Sequence, residues 1–124
     1  MATQRSPRAR LEDIVEWGDA VARHIAGKDR ATCAADQMTQ HAVMKCIEVI
    51  GEASGHLMRL VPDHERVLAG LDLRTAYAIR NKLSHGHFEI AVDRLRSAAS
   101  QSVPAIVDAA KAALASFKDG TPNE

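Results

Sequence analysis

The feature that most constrains the fold is a long apolar stripe in the middle of the chain. Apolar residues recur there every three or four positions, which is the period of a helix with one buried face. Pro62 follows the stripe, and a proline forces the residue before it out of helical geometry. The stripe consists of Met38, Ala42, Val43, Cys46, Ile47, Val49, Ile50, Ala53, Leu57 and Leu60. The pattern therefore predicts a helix over about residues 36–60.

Two glycines lie inside this predicted helix, Gly51 and Gly55. Each costs a helix about 1 kcal/mol relative to alanine. They are one turn apart, so together they form a flat strip where another helix can approach closely. No strand precedes them, which argues against a phosphate-binding loop. We therefore expect a close helix contact at this strip.

Three more helices follow from the same spacing and from capping residues. We expect the first over about 7–26, the third over about 73–85 and the last over about 93–117. Residues 29–36 are assigned to a connection, and residues 62–70 to a turn or a short helix. Phe88 and Ile90 are assigned to a short extended link. The expected caps and breaks are Ser6, Gly27, Asp36 or Thr32, Asp72, Gly86 and, as a kink in the last helix, Pro104.

The composition agrees with a helical fold. Apolar residues make up 46% of the 124 residues but aromatic residues only 3%, so the core must consist mainly of Ala, Leu, Ile and Val. Such a core favours closely packed helices over a sheet. The prediction is an all-α, up-and-down bundle of four main helices, with one possible short extra helix. We expect residues 1–6 to be a disordered lead, 7–117 the helical domain and 118–124 a flexible tail.

Charge and cysteine content narrow the class of protein further. Sixteen basic and sixteen acidic residues cancel, so any nucleic-acid site would need a local basic patch. Cys33 and Cys46 are not in CxxC spacing and are expected to be free, buried thiols. The polar, basic N-terminal segment does not resemble a signal peptide, and no apolar run approaches the ~20 residues that span a bilayer. We therefore expect a cytoplasmic protein without membrane contact.

Polar groups are concentrated at the end of the third predicted helix, in residues 80–88. Arg80 can bind a phosphate in fork geometry, and His85 can transfer a proton near neutral pH. Residues four apart on a helix share one column. Arg80 therefore lies in line with Ser84, and Asn81 lies in line with His85. One polar edge of the helix carries all four groups.

Arg80 and His85 themselves do not share a face. Five residues at ~100° each place them about 140° apart. Either the last helical turn loosens near Gly86, or the two residues serve a site that a second subunit completes. A two-fold dimer would bring two copies of the polar edge together. The sequence leaves both arrangements open.

The residue types predict cleavage of RNA by attack of the ribose 2′-hydroxyl on the neighbouring phosphate. His85 would remove the 2′ proton or protonate the leaving oxygen, and Arg80 would bind the phosphate. Asn81 would hold His85 or a phosphate oxygen, with Ser84 beside it. His87 would serve as a second acid or base. Arg74 and Lys82 are the other basic residues that we expect to bind RNA.

Simpler interpretations exist for the same residues. A histidine in the last turn of a helix is favourable because its charged form complements the helix dipole. Arg80 and Lys82 are ordinary residues for a solvated helix face. His85 and His87 could also be half of a zinc site, although Asp72, His64 and His41 lie in other segments. We predict no metal and no cofactor, because no acidic cluster near the motif would hold Mg²⁺.

Three segments of the chain resemble the HEPN superfamily, and within it the HepT-like toxins. Residues 40–53 are similar to the family's second helix, including Ile50-Gly51-Glu52-Ala53. Residues 79–88 are similar to its RNxxxHGYF signature, and Pro104 matches a proline within its last helix. The resemblance extends from about Leu11 to Leu114. The order and spacing of the three segments make it specific, although each segment is short.

The resemblance implies a fold and a function. HepT-like proteins are helical bundles that dimerise, and their motifs meet across the dimer to form a metal-independent endoribonuclease site. They are toxins of type VII-like toxin-antitoxin systems, paired with an MNT-type nucleotidyltransferase antitoxin. By this resemblance Arg80 and His85 match the catalytic pair, and Asn81 matches the polar residue after the arginine.

His87 is where the chain departs from the family, which has a tyrosine there that the antitoxin adenylylates. Imidazole lacks the phenol, so we expect neutralisation by tight binding or by modification of another residue. The alternative function is a catalytically degenerate HEPN module that binds RNA or a nucleotidyltransferase partner. His87 is the residue that favours this alternative.

Overall fold

Helices make up most of the chain in the computed structural model, which describes residues 5–85, 92–118 and 121–122, and side chains over 5–81 and 94–116. The helices are α1 (Pro7–Ile25), α2 (Arg30–Ala35), α3 (Gln37–Leu60), α4 (His64–Val67), α5 (Leu73–His85), α6 (Val92–Ser97), a π-helical segment (Ala98–Ser102) and α7 (Val103–Ser116). Two-residue strands β1 (Phe117–Lys118) and β2 (Thr121–Pro122) pair antiparallel, with Phe117 opposite Pro122. The predicted all-α bundle is confirmed.

Side-chain caps begin the long helices where the sequence predicted them. Ser6 Oγ accepts from the backbone N–H of Ala9 at 3.1 Å to cap α1. Asp36 Oδ1 accepts from Thr39 N at 3.1 Å to cap α3. Each cap satisfies a backbone donor that the first turn of a helix leaves unpaired. Asp72 does the same for α5 through Thr75 N at 3.0 Å.

The ends of α1 and α3 also follow local chemistry. Gly27 has a φ of 74°, a left-handed conformation that glycine adopts without strain, and it stops α1. Val61 leaves helical geometry before Pro62, as predicted. The breaks expected at Gly86, Phe88 and Ile90 lie outside the described residues.

The segment assigned to a connection, residues 29–36, contains the short helix α2 instead. Asp29 caps it by accepting from Thr32 N at 2.8 Å, and Thr32 Oγ1 adds a second hydrogen bond. At the other end, the Gln40 amide donates to the carbonyl oxygen of Cys33 at 2.7 Å. Six residues are too few to show helical periodicity in the sequence. The helix depends on these caps at its two ends.

The core lies where α3 packs between α1 and α5, while α1 also packs against α7. The largest fully buried side chains come from α1, α3 and α5 and include Leu11, Ile14, Ile50, Leu57 and Leu73. Ser54 is buried among them and donates to the carbonyl oxygen of Ile50 at 2.8 Å, so it carries no unpaired polar group. The bundle therefore has one continuous apolar core.

Cys33 and Cys46 are both free and buried, which confirms the prediction of unpaired thiols. Burial raises the pKa of the Cys46 thiol, because an apolar surrounding disfavours the thiolate. Both side chains belong to the buried apolar residues, so they contribute packing to the core.

The last predicted helix is continuous from α6 to α7 but changes its winding before Pro104. Val103 N–H donates to the carbonyl oxygen of Ala98, five residues back, which defines the π-helical turn. Pro104 has no backbone N–H to donate. The wider turn therefore lies directly before the residue at which the sequence predicted a kink.

No helix in the described part of the chain has both the length and the apolarity needed to cross a membrane.

Candidate active site

Helix α5 presents one face to the core and carries the polar motif at its C-terminal end. Leu73 and Ala76 are buried, and Ile79 packs against the same core. The chief neighbour of α5 is α3. Gly51 of α3 lies against Arg80, and Gly55 lies against Tyr77. The two helices are therefore antiparallel at this contact, because the number rises on α3 as it falls on α5.

Gly51 makes room for the side chain of Arg80. A Cβ at position 51 would collide with Cβ and Cγ of Arg80 and lie 3.3 Å from its Cδ. The aliphatic part of Arg80 thus lies directly on the backbone of α3, where only glycine fits. This confirms the close helix contact that the glycine strip predicted. It also fixes the direction in which the guanidinium leaves α5.

The guanidinium of Arg80 is held by its sequence neighbour. Nη1 of Arg80 donates to Oδ1 of Asn81 at 2.9 Å. Nε of Arg80 is buried and has no hydrogen-bond partner among the described residues. An anion from solvent can therefore meet this arginine at its terminal nitrogens but not at Nε. Both side chains are half-buried, so the arginine is partly shielded from water and keeps a definite orientation.

His85 lies on the same regular helix as Arg80. The backbone stays α-helical from residue 80 to residue 85, so the two Cα atoms project about 140° apart. Helix α5 does not loosen before His85. The side chains of Lys82, Ser84 and His85 lie outside the described set, as does all of His87. Their roles stay predictions.

Arg74 is not brought together with Arg80. It lies in the first turn of α5, about 9 Å along the helix axis from Arg80 at ~1.5 Å per residue. Its Nη2 faces Oε1 of Glu65 at 3.4 Å, and both side chains are largely exposed. The expected basic cluster is therefore divided between the two ends of α5. The RNA-binding role of Arg74 stays a prediction.

Three residues beside Arg80 were not identified from the sequence. Tyr77 places ring carbons 3.0 and 3.1 Å from the Cβ position of Gly55, and Nη1 of Arg59 lies 3.8 Å from the same point. Nη2 of Arg59 is 2.9 Å from Nδ1 of His56. The sequence gives only a weak indication of them, namely that His56 and Arg59 follow Gly55 within one helical turn. The pairing of α3 with α5 places them about one helical turn from the contact between Gly51 and Arg80.

Metal-ligating side chains do not gather in the described part of the site. Over residues 5–81 and 94–116, no three His, Cys, Asp or Glu side chains lie close enough to hold one ion. The other candidate ligands from the sequence lie in separate segments, with His41 in α3, His64 at the start of α4 and Asp72 as the cap before α5. The described chemistry is that of an arginine, an amide and, one turn away, a histidine with a second arginine.

The protein is a helical bundle in which one helix carries an RNxxxH motif at its end, and the arginine of that motif lies on a glycine of the neighbouring helix. Residues 11–113 match the family model described as ribonuclease HepT-like. The chain belongs to this family, within the HEPN superfamily, as the resemblance of the three segments indicated. A curated relative from Thermococcus cleftensis, named probable ribonuclease HepT, is 31% identical over 106 residues, which cover 83% of this chain and 91% of the relative. No solved structure gives a significant match.

Proposed function

We propose that this chain is a metal-independent endoribonuclease whose site contains Arg80 and His85. The observation that carries the proposal is the fixed position of Arg80, whose stem lies on Gly51 and whose Nη1 is bound by Asn81. A phosphate-binding arginine works best when it is already oriented before the substrate arrives. Membership of the HepT-like family and the name of the Thermococcus relative support the same activity.

The proposed reaction is transesterification within the RNA strand. His85 takes the proton of the ribose 2′-hydroxyl as the 2′ oxygen bonds to phosphorus. The bond from phosphorus to the 5′ oxygen breaks, and that oxygen takes a proton from a second imidazole. Arg80 binds the non-bridging oxygens, where negative charge grows in the transition state. His87 is the candidate for the proton donor.

The active unit is proposed to be a homodimer. Arg80 and His85 project about 140° apart on a helix that stays regular between them. The two positions therefore lie on different faces of one regular helix. Two copies of α5 packed against each other across a two-fold axis can bring Arg80 of one copy to His85 of the other.

Cleavage of RNA by purified variants tests the activity. Arg80→Ala and His85→Ala should each lower the cleavage rate by about 100-fold or more, the scale of a lost acid, base or charge-stabilising group. Arg66→Ala is the matched control, because Arg66 is exposed on α4 and pairs with Asp63. Wild-type protein that leaves RNA intact while still binding it would support the alternative, a degenerate HEPN module.

The biological role we propose is that of a toxin in a type VII-like system, held in check by an MNT-type nucleotidyltransferase. His87 has no phenol for adenylylation, and Tyr77 is the one tyrosine in the chain. We therefore expect control by tight binding or by modification elsewhere. Mass spectrometry after incubation with ATP and the proposed nucleotidyltransferase partner would test this. An adenylate on His87 would contradict it.

A further inference from the structure

A polar surface borders Arg80 along the contact between α3 and α5. It consists of Glu52, His56 and Arg59 of α3 with Tyr77 of α5, and we refer to it as the α3–α5 edge. Arg59 is exposed, whereas His56 and Tyr77 are half-buried. The activity proposed for Arg80 and His85 uses none of these four groups. The α3–α5 edge starts next to Gly51, on which the stem of Arg80 lies.

The guanidinium of Arg59 is held in place by His56. Its Nη2 lies 2.9 Å from Nδ1 of His56. An arginine can only donate, so Nδ1 must be the acceptor and the ring proton lies on Nε2. Nε2 faces Oε1 of Glu52 at 3.7 Å. The three side chains thus form a row on α3 in which Glu52 and His56 orient Arg59.

Arg59 and Tyr77 lie together one helical turn from Arg80. Nη1 of Arg59 and the ring of Tyr77 both approach the Cβ position of Gly55, at 3.8 Å and 3.0 Å. Arg80 approaches Gly51, four residues earlier, which is about 6 Å along the axis of α3. A cation and an aromatic ring therefore lie one helical turn along α3 from the point where the stem of Arg80 meets that helix.

We propose that Arg59 and Tyr77 form a subsite for the nucleotide adjacent to the scissile phosphate, with His56 as a positioning residue. The proposal rests on the ribonuclease function and makes single-stranded RNA its substrate class. Arg59 binds the neighbouring phosphate, and Tyr77 stacks on a base. Proteins that bind single strands combine a cationic groove with aromatic platforms in this way.

The local charge is compatible with a phosphate at Arg59. The carboxylate of Glu52 is directed at His56, and its side chain is 62% exposed, so water screens it. Arg59 and Arg80 together outweigh this single acidic group. An acidic protein segment would also be attracted here. The aromatic ring of Tyr77 favours a nucleotide, because a base can stack on it.

Binding of uncleavable RNA tests the subsite without depending on catalysis. The probe is a series of 2′-O-methyl oligoribonucleotides from the dinucleotide upward, in which the attacking hydroxyl is blocked. Arg59→Ala should weaken binding of the longer oligonucleotides about tenfold, as for loss of one charge-assisted hydrogen bond. Its plot of log affinity against log salt should be shallower by about 0.7, the value for one phosphate contact on a single strand. The dinucleotide, with one phosphate, should bind both proteins equally.

Matched variants separate the subsite from general loss of charge or structure. Arg66→Ala removes the same charge from α4 and should leave affinity and salt slope unchanged. His56→Ala should weaken binding about threefold, because Arg59 loses the hydrogen bond that orients it, and His56→Gln should restore it because its amide oxygen can accept from Arg59. Tyr77→Phe should bind like wild type, whereas Tyr77→Leu should not. Circular dichroism confirms that each variant is folded.

The outcomes for the subsite and for the ribonuclease differ. An Arg59→Ala variant with the affinity and salt slope of Arg66→Ala overturns the subsite, even if wild type cleaves RNA. So does a wild type that binds no member of the series. If Arg59→Ala loses affinity as expected but no protein cleaves RNA, the subsite stands and the ribonuclease proposal fails. Weakened binding of only a protein partner would also overturn the subsite.

Discussion

Gly51 determines where Arg80 lies, because its missing Cβ leaves the space that the arginine stem fills. Glycine within a helix costs about 1 kcal/mol relative to alanine, so position 51 gives up local stability for this contact. In this contact the aliphatic part of Arg80 is held by α3 and its guanidinium by Asn81. At the scale of single residues, the candidate site is therefore prepared by a helix that does not carry the motif.

Gly51→Ala should both destabilise the protein and lower its RNA cleavage. The new methyl group collides with Cβ and Cγ of Arg80, atoms too close to the backbone of α5 to move aside. We therefore expect a cost in the upper part of the about 1–3 kcal/mol range for overpacking, above the roughly 1 kcal/mol that alanine gains in helix propensity. Urea denaturation and a cleavage assay measure the two effects. Gly70→Ala is the matched control, since a Cβ there meets nothing within 4 Å, and its stability should stay within about 0.5 kcal/mol of wild type. A Gly51→Ala protein as stable and as active as that control would contradict this account.

Single helices were largely predictable from the sequence, because their boundaries depend on nearby residues. Ser6, Asp36 and Asp72 cap the helices that they were expected to cap. Helix α2 was missed because six residues show no period, and the π-helical turn before Pro104 was missed because a wider turn leaves no separate pattern. Local chemistry thus specifies where a helix starts and stops better than how it winds.

The Asp36 cap of α3 makes stability depend on acid pH. The pKa of Asp36 is lowered from 3.8 to about 2. The hydrogen bond from the Thr39 hydroxyl contributes most, followed by the hydrogen bond from the Thr39 N–H and then by that from Lys28. A lowered pKa means that the ionised carboxylate stabilises the folded state. This contribution is fully present above pH 3.8 and is lost as the pH falls through about 2.

Asp36→Asn, which keeps a capping oxygen but removes the charge, should reveal this dependence. The variant should be less stable than wild type near neutral pH, and the difference should vanish as the pH approaches about 2. Urea denaturation across this pH range measures it. Asp108→Asn, on the exposed face of α7, caps no helix and should show a smaller change. A difference between wild type and Asp36→Asn that stays constant with pH would argue against the cap as its origin.

At the scale of the whole molecule, packing between helices decides which residues become neighbours. The sequence alone predicted Arg80 and Asn81 as site residues, and adjacency in the chain brings them together. It did not identify His56, Arg59 and Tyr77, because their proximity to Arg80 depends on the register of α3 against α5. The sequence also grouped Arg74 with Arg80 as RNA-binding cations, whereas the two residues lie toward opposite ends of α5. Arg80 and His85 lie about 140° apart around α5, and the proposed dimer is the arrangement that would join them in one site.

Mixing two inactive variants tests whether the site is shared between subunits. In a dimer whose sites each take Arg80 from one chain and His85 from the other, an Arg80→Ala chain paired with a His85→Ala chain forms one intact site. Random exchange of subunits should then restore roughly a quarter of wild-type cleavage, since half of the dimers are mixed and each has one intact site of two.

The restored activity should rise as the subunits exchange, and size-exclusion chromatography should show a dimer throughout. The control is Arg80→Ala mixed with the double variant Arg80→Ala/His85→Ala, a pair that contains no Arg80 and should stay inactive. If Arg80 and His85 acted within one chain, every site in the first mixture would lack one of them. No recovery in a mixture proven to exchange would therefore place both groups on the same subunit, and α5 would have to deform to bring them together.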